Sequence, residues 1–236
     1  MELPLHSLAL NQASEAMAAF FAQQRVVACI GDHFALSCFC LTRPLQGVVV
    51  GAATTEDEGV DLVARTNPSV VICTEDLESG YGINLLRRVK HTLPNCKRLI
   101  LLKRETQSVV QEAMEACADA VIFQSSLGSG KGDFIQALTA LAEGSVYYPE
   151  KIRRLVAVQA MNADLPALVD SLTKRELEVV TAVARGLKNQ AIAETLCISL
   201  ETVKTHLANA MGKLGAQDRT QLAVMALLHG LIGPMD

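Results

Sequence analysis

The stretch Leu172–Leu222, LTKRELEVVTAVARGLKNQAIAETLCISLETVKTHLANAMGKLGAQDRTQL, constrains the fold more than any other part of the chain. Its helix punctuation is nearly complete. Thr173 with Glu176 three residues later forms a capping box, and Leu172 with Leu177 flanks it at the spacing of a hydrophobic staple. A helix therefore starts at Thr173 and runs to Gly186, which supplies a left-handed stop. Asn189 is the expected cap of a short second helix with Ile192, Ala193 and Leu196 inside. Ser199 caps a third helix, with Ile198 and Val203 repeating the staple. Asp218 caps a fourth, with Gln221 three residues on. Four capped helices joined by short turns define an all-α helix-turn-helix domain.

The third helix carries the chemistry. Val203, Leu207, Ala210, Met211 and Leu214 recur at helical spacing and face inward. Lys204, Thr205, Ala208 and Gly212 share the opposite face, where two positions are small. A helix that enters the major groove needs donors for base edges and little bulk where backbones approach. Lys204 suits guanine acceptors, while Thr205 and Ala208 suit base edges or a thymine methyl. Lys188, Asn189, Thr202, His206, Asn209 and Lys213 are candidates for the phosphate contacts that fix register.

This stretch resembles the DNA-binding domain of LuxR/NarL-type bacterial transcription regulators. The matching motifs are Leu172-Thr-x-Arg-Glu-x-Glu-Val, Gly186-Leu-x-Asn, Ile192-Ala-x-x-Leu, Ile198-Ser-x-x-Thr-Val-Lys-x-His206 and Lys213-Leu-Gly-x-x-Asp-Arg-Thr220. The resemblance implies binding of double-stranded DNA by the third helix, as a homodimer on a two-fold site with the fourth helix as dimer contact. Lys188 stands where the family usually has a small hydroxyl residue, and Ala208 where many relatives carry a longer reader. Base readout is therefore expected to be sparse.

Upstream, short apolar runs at 25–31, 47–52, 69–74, 98–102 and 120–123 alternate with helical stretches near 34–42, 55–65, 82–92, 107–117 and 132–143. Such runs suit strands buried on both faces of a parallel sheet. Five β-α repeats make a doubly wound, flavodoxin-like domain whose function gathers at the carboxyl ends of the strands. This half resembles the receiver domain of two-component response regulators, more in layout than in identity. VVACIGDHFAL matches the opening strand and acidic pair, with Gly31 in place of the first acid and Asp32 kept. In SVVICTEDLESGYGINLLRRVK, counting back from Gly82 puts Thr74 where the phosphoacceptor Asp belongs. Lys103 falls near the usual Ser/Thr, and Gln124 replaces the Lys.

Phosphoryl transfer to a carboxylate needs an acidic Mg²⁺ pocket, a nucleophilic Asp and a Lys to pair with the phosphoryl charge. One metal acid, the nucleophile, the hydroxyl and the Lys are all replaced here, so the resemblance implies a pseudo-receiver that works without phosphorylation. The pocket residues are Asp32, Thr74, Glu75, Asp76, Lys103 and Gln124. A loop shift would be needed to bring Glu75 or Asp76 into the acceptor position; Asp32 and Lys103 read either as an ion pair that replaces the metal or as ordinary solvent-exposed groups. The input is then a constitutive dimer, a ligand or a partner protein at this pocket. RNA polymerase is a further candidate partner.

The expected layout is an N-terminal helical extension at 1–24, a pseudo-receiver at 25–147, a partly helical linker at 148–168 and the helix-turn-helix domain at 169–236. Ala13, Met17, Phe20 and Phe21 give the extension one apolar face. Its two readings are packing on its own domain or a contact between chains or domains. Glu150–Ala163 reads as a linker helix with Ile152, Leu155 and Val156 on one side. The loop Gly128-Ser-Gly-Lys-Gly132 lacks the flanking residues of a nucleotide-binding P-loop and reads as a flexible connection.

Composition bounds the rest. The chain has 236 residues, is 50% hydrophobic with 4% aromatics, and carries a net charge of −4. That excludes disorder and a general nucleic-acid sponge. From Val169 onward, seven Lys/Arg (174, 175, 185, 188, 204, 213, 219) balance seven Asp/Glu (170, 176, 178, 194, 201, 218, 236). The basic surface is thus local, with a salt slope of roughly −0.9 per phosphate contact, and dimerisation must add affinity.

Seven cysteines, with no CxxC and no secretory segment, point to the cytoplasm. Cys29, Cys73 and Cys197 read as core filling, and Cys38, Cys40 and Cys96 as candidates for redox response. No run reaches the ~18–20 apolar residues of a membrane span. No cofactor or metal set is apparent. His6, His33, His91, His206 and His229 are scattered, with no Ser/His/Asp or Cys/His arrangement, so an enzyme is not expected. The rival to a DNA-binding regulator is an adaptor that binds proteins through the pseudo-receiver.

Overall fold

The computed structural model describes residues 15, 17–127, 132–160 (backbone only for 157–160) and 171–231. Five parallel strands, β1 (Val26–Cys29), β2 (Val49–Ala53), β3 (Val70–Thr74), β4 (Lys97–Leu102) and β5 (Ala120–Phe123), form one sheet in the order β2-β1-β3-β4-β5. Every β1, β3 and β5 residue is buried except Thr74, as continuous apolar runs in a two-sided parallel sheet require. Alternate residues face opposite sides. Val27, Cys29, Val71, Cys73, Ile100, Leu102 and Val121 share a cluster with α2 (Glu56–Thr66), α3 (Gly82–Thr92) and α4 (Gln107–Glu115). Val26, Val70, Ile72, Leu99 and Ile122 share another with α5 (Asp133–Ala142) and with Phe20 and Phe21. The apolar face of the N-terminal segment thus packs on its own domain. Ala13 lies outside the described residues.

The helix that follows β1, α1 (His33–Leu41), is anomalous. Seven of its nine residues, HFALSCFCL, are apolar, yet only Leu36 is buried. Phe34 and Leu41 are 79% and 71% exposed.

α6 (Glu150–Ala160) follows, with Ile152 and Val156 buried. The rest of the expected linker helix, like Gly128–Lys131 of the glycine-rich loop, lies outside the described residues. The carboxyl-terminal helices are α7 (Lys174–Ala184), α8 (Asn189–Leu196), α9 (Leu200–Leu214) and α10 (Arg219–Leu228). Thr173 and Glu176 form the expected capping box; Ser199 accepts from Thr202 N, and Asp218 from Gln221 N. Gly186 takes the left-handed conformation at φ 84°. The second cap differs from expectation. Lys188 holds the cap position without a side-chain capping bond, and Asn189 is the first helical residue. Its Oδ1 accepts instead from Arg219 Nη1 at 2.9 Å, so a contact thirty residues away outcompetes the local cap.

The two halves share one apolar cluster that runs from the sheet through α4 and α6 into α7 and α10. Polar contacts reinforce it. Asp119 at the start of β5 is buried and accepts from Arg98 N at 2.8 Å, from Arg98 Nε at 3.2 Å, and from the Thr220 hydroxyl on α10. Lys90 of α3 pairs with Asp218, the cap of α10. Burial lowers the Lys90 pKa, with the nearby Arg98 charge adding to it. The fourth helix, expected as a dimer contact, is therefore covered by the sheet half in this arrangement.

Candidate nucleic-acid interface and strand-end pocket

On α9, Val203, Ala210 and Leu214 are buried, with Leu207 and Met211 packed against the same core. Lys204, Thr205, Ala208, Asn209 and Gly212 are exposed; Thr202 and His206 are half-buried. Lys204 Nζ lies 2.7 Å from Glu201 Oε1, an exposed pair of the kind worth at most about 1 kcal/mol, so the ammonium is releasable to another acceptor. Thr205 donates to the Glu201 carbonyl at 2.9 Å. A Cβ on Gly212 would meet nothing within 4 Å, so that side of the helix is open. The arrangement presents a cation, a hydroxyl and two bare positions on one accessible face.

The other candidates separate. Lys213 Nζ lies 2.6 Å from Glu176 Oε2, which also accepts from Thr173 N at 2.7 Å. These bonds hold the Glu176 carboxyl down at about 2, the Lys213 ammonium first and the cap amide second. Lys213 thereby anchors α9 to the start of α7. Asn189 is engaged by Arg219, which also donates to the Leu187 carbonyl. Lys188 Nζ lies 3.0 Å from Glu143 Oε1, and the Gly186 carbonyl accepts from Ser145. Both partners belong to the turn after α5. Sequence reasoning missed Arg219 and Glu143; Arg219 at least lay inside the matched Asp-Arg-Thr motif.

A cleft lies at the carboxyl ends of the strands, lined by Asp32, Thr74, Asp76, Lys103 and Gln124. Thr74 Oγ1 accepts from Gly31 N at 3.2 Å and donates to the Asp76 carbonyl at 2.9 Å. A Cβ on Gly31 would lie 2.5 Å from the Asp76 carbonyl oxygen and 2.7 Å from Leu77 Cα. The loop after β3 thus occupies the space an acidic side chain at position 31 would need. Gly82 serves the same loop: a Cβ there would sit 2.0 Å from the Thr74 carbonyl oxygen.

Of the two acids that follow Thr74, Asp76 lines this pocket; Glu75 does not shift into it. Its carboxylate is fully buried, pointing toward the loop after β4. There Oε2 accepts from Lys103 N at 2.8 Å and Arg104 N at 2.9 Å, and Oε1 takes the Arg104 guanidinium. Two amides and a guanidinium offer a carboxylate more than the open strand end does. Arg104 also donates to Tyr81 Oη at 2.9 Å. Nor does Asp32 pair with Lys103. Asp32 Oδ1 caps α1 by accepting from Ala35 N at 2.7 Å, and Lys103 pairs with Asp76 at 3.1 Å. Gln124 makes one long bond, 3.4 Å, to the Leu101 carbonyl.

The cysteines divide by burial. Cys29 and Cys73 fill the core as expected, and burial pushes Cys29 up to about 12. Cys96 is buried and also raised to about 12 by desolvation, which denies it the thiolate that a redox sensor needs. Cys197 is an exposed helix cap at φ 53°, not core. Cys38 and Cys40 sit two apart on α1 and diverge around the helix.

A five-stranded α/β domain with a cleft at its strand ends, joined to four helices of which one presents an exposed polar face, defines a response-regulator class of DNA-binding protein. Residues 170–226 match the model described as "Bacterial regulatory proteins, luxR family". An uncharacterized transcriptional regulatory protein of Bacillus subtilis, YxjL, is 31% identical over 78% of this chain and 85% of its own length. VraR, a response regulator of Staphylococcus aureus, is 30% identical over 78% of this chain and 86% of its own. The solved RcsB response regulator of Salmonella typhimurium shares the fold, with a TM-score of 0.50 at 21% identity over 87% of this chain and 96% of that one. The chain belongs to the LuxR-type response regulators, DNA-binding transcription regulators. No described helix is long and apolar enough to cross a membrane.

Proposed function

We propose that this regulator binds its operator as a homodimer and does so without phosphoryl transfer. The observation that carries the reading is the exposed face of α9, where Lys204, Thr205 and Ala208 stand over buried Val203 and Ala210. Lys204 reads a guanine edge, and Thr205 and Ala208 read bases or a thymine methyl. Thr202, His206 and Asn209 contact phosphates. Lys188 joins them when it leaves Glu143. Lys213 and Asn189 act from within the domain, by fixing the angle of α9 and the start of α8.

The phosphorylation-independent part rests on Thr74 at the acceptor position, on the loop packed against Gly31, and on Gln124 where a Lys is needed. The dimer follows from charge arithmetic: a domain with balanced charges has few phosphate contacts per copy and gains affinity by doubling them. Because α10 is covered in the docked arrangement, a dimer through that helix requires the halves to part.

Selection of duplexes from a random pool by the full-length chain tests this. The expected product is a two-fold site with half-site centres about 10–10.5 base pairs apart, or a multiple of that. A single unrepeated half-site would overturn the dimer, and an unenriched pool the DNA reading. Stable labelling by acetyl phosphate would overturn the pseudo-receiver.

A further inference from the structure

The strand-end pocket has lost its ion-binding character and acquired another. It is a cleft of about 760 Å³ between α1, the ends of β1, β3 and β4, and the turn after β5. That volume lies within the roughly 300–1,000 Å³ range of small-molecule sites, and its place beside the β1–β3 crossover is where doubly wound sheets take ligands. Its walls are mostly aliphatic and aromatic: Ile30, Leu77, Leu101 and Leu127 from the strand ends and loops, Ala35 and Phe39 from α1.

The polar groups are few and largely committed. Lys103 and Asp76 neutralise each other at the rim, 3.1 Å apart and both more than half exposed. Asp32 stands at the solvent edge with Oδ1 given to the cap of α1. The Thr74 hydroxyl both donates and accepts within the protein. Gln124 is the exception. Among the described residues its carboxamide makes a single 3.4 Å bond, near the limit of a hydrogen bond, so it is the group a ligand displaces at least cost. An anion finds no uncommitted cation here, and the one unpaired carboxylate, Asp32, stands at the solvent edge and outside the apolar walls.

We propose that this cleft binds an uncharged, mostly apolar small molecule that bears a carbonyl or amide reaching Gln124. Such a ligand occupies the position from which receiver domains are switched, and it touches α1, the β3 loop and Lys103 of the β4 loop at once. The adjoining Glu75–Arg104–Tyr81 network ties that last loop to the start of α3, and Tyr81 Oη lies 3.4 Å from Glu112 of α4, the helix that meets α6 and α10. The inference goes beyond the DNA-binding reading and does not depend on it.

Titration of the full-length chain with Nile red, an uncharged apolar dye with a carbonyl, is the test, followed by blue-shifted emission and by equilibrium dialysis. One saturable site per chain is expected. Ala35→Trp, at an exposed helix position on the cleft wall, should weaken binding at least tenfold with an unchanged melting curve. The double variant Phe34→Ser/Leu41→Ser, on the neighbouring exposed face of α1, should stay within twofold of the parent. Gln124→Ala should weaken it by a smaller factor. Absence of a saturable site would overturn the proposal. So would binding that survives Ala35→Trp but is lost in the double variant, which would assign the dye to the α1 surface. Tighter binding of the anionic dye 1-anilinonaphthalene-8-sulfonate than of Nile red would overturn the uncharged class.

Discussion

Thr220→Val isolates the contact between the two halves. Valine keeps the branched shape and removes only the hydroxyl that donates to Asp119. Thr220 and Asp119 are both buried, so water does not replace the lost donor. Asp119 keeps its two bonds from Arg98, and the sheet half therefore keeps its own buried ion pair. A hydrogen bond to a charged group contributes about 1.5–3 kcal/mol, which converts to a roughly 10- to 150-fold shift of the docking equilibrium toward the open arrangement. The assay is amide hydrogen exchange on the full-length chain. Amides of α10 and α6 should exchange faster by that factor, while β1, β3 and β4 stay within twofold of the parent. If α10 exchange is unchanged, Thr220 does not hold the halves together. If the whole sheet loosens, the bond belongs to the fold of the receiver half, and the docking argument is wrong.

Three further outcomes follow from individual contacts. Glu176 is held at about 2 against an ordinary 4.5, so its stabilisation is present above pH ~4.5 and is lost as pH falls toward 2. Glu176→Gln should flatten that acid limb in a pH series of urea melts, and an unchanged limb would contradict it. Glu75→Ala leaves the two loop amides and Arg104 without their buried acceptor and should cost about 2–4 kcal/mol in urea denaturation; a loss under 0.5 kcal/mol would refute the latch. Thr74→Asp should remain unlabelled by acetyl phosphate on a phosphate-affinity gel, because Gln124 supplies no cation and the loop against Gly31 leaves no place for a second acid; labelling would show that one side chain alone blocks transfer.

What could be read from the sequence was local. The caps at Thr173, Ser199 and Asp218 bond within three residues, and the strands are apolar because both their faces are covered, so both leave marks along the chain. The inward and outward faces of α9 follow from helical spacing in the same way. Asn189 misled because a residue with good capping chemistry met a better partner in Arg219. For Glu75 the backbone position was legible while the direction of its side chain, into the loop after β4, was not. Thr220 and Asp119 are separated by 101 residues, and neither flanks a motif that would announce the other. Exposure of the apolar α1 was also hidden, since HFALSCFCL reads as a helix to be buried.

The most direct measurement is the dissociation constant of Lys204→Ala and the parent chain, at one fixed salt concentration, on the selected duplex and on a scrambled one. Loss of a base-reading contact costs about 1–3 kcal/mol, so the variant should bind the selected duplex roughly 5- to 150-fold more weakly and the scrambled duplex nearly as the parent does. Equal affinities of variant and parent on both duplexes would contradict the assignment of α9 as the reading helix.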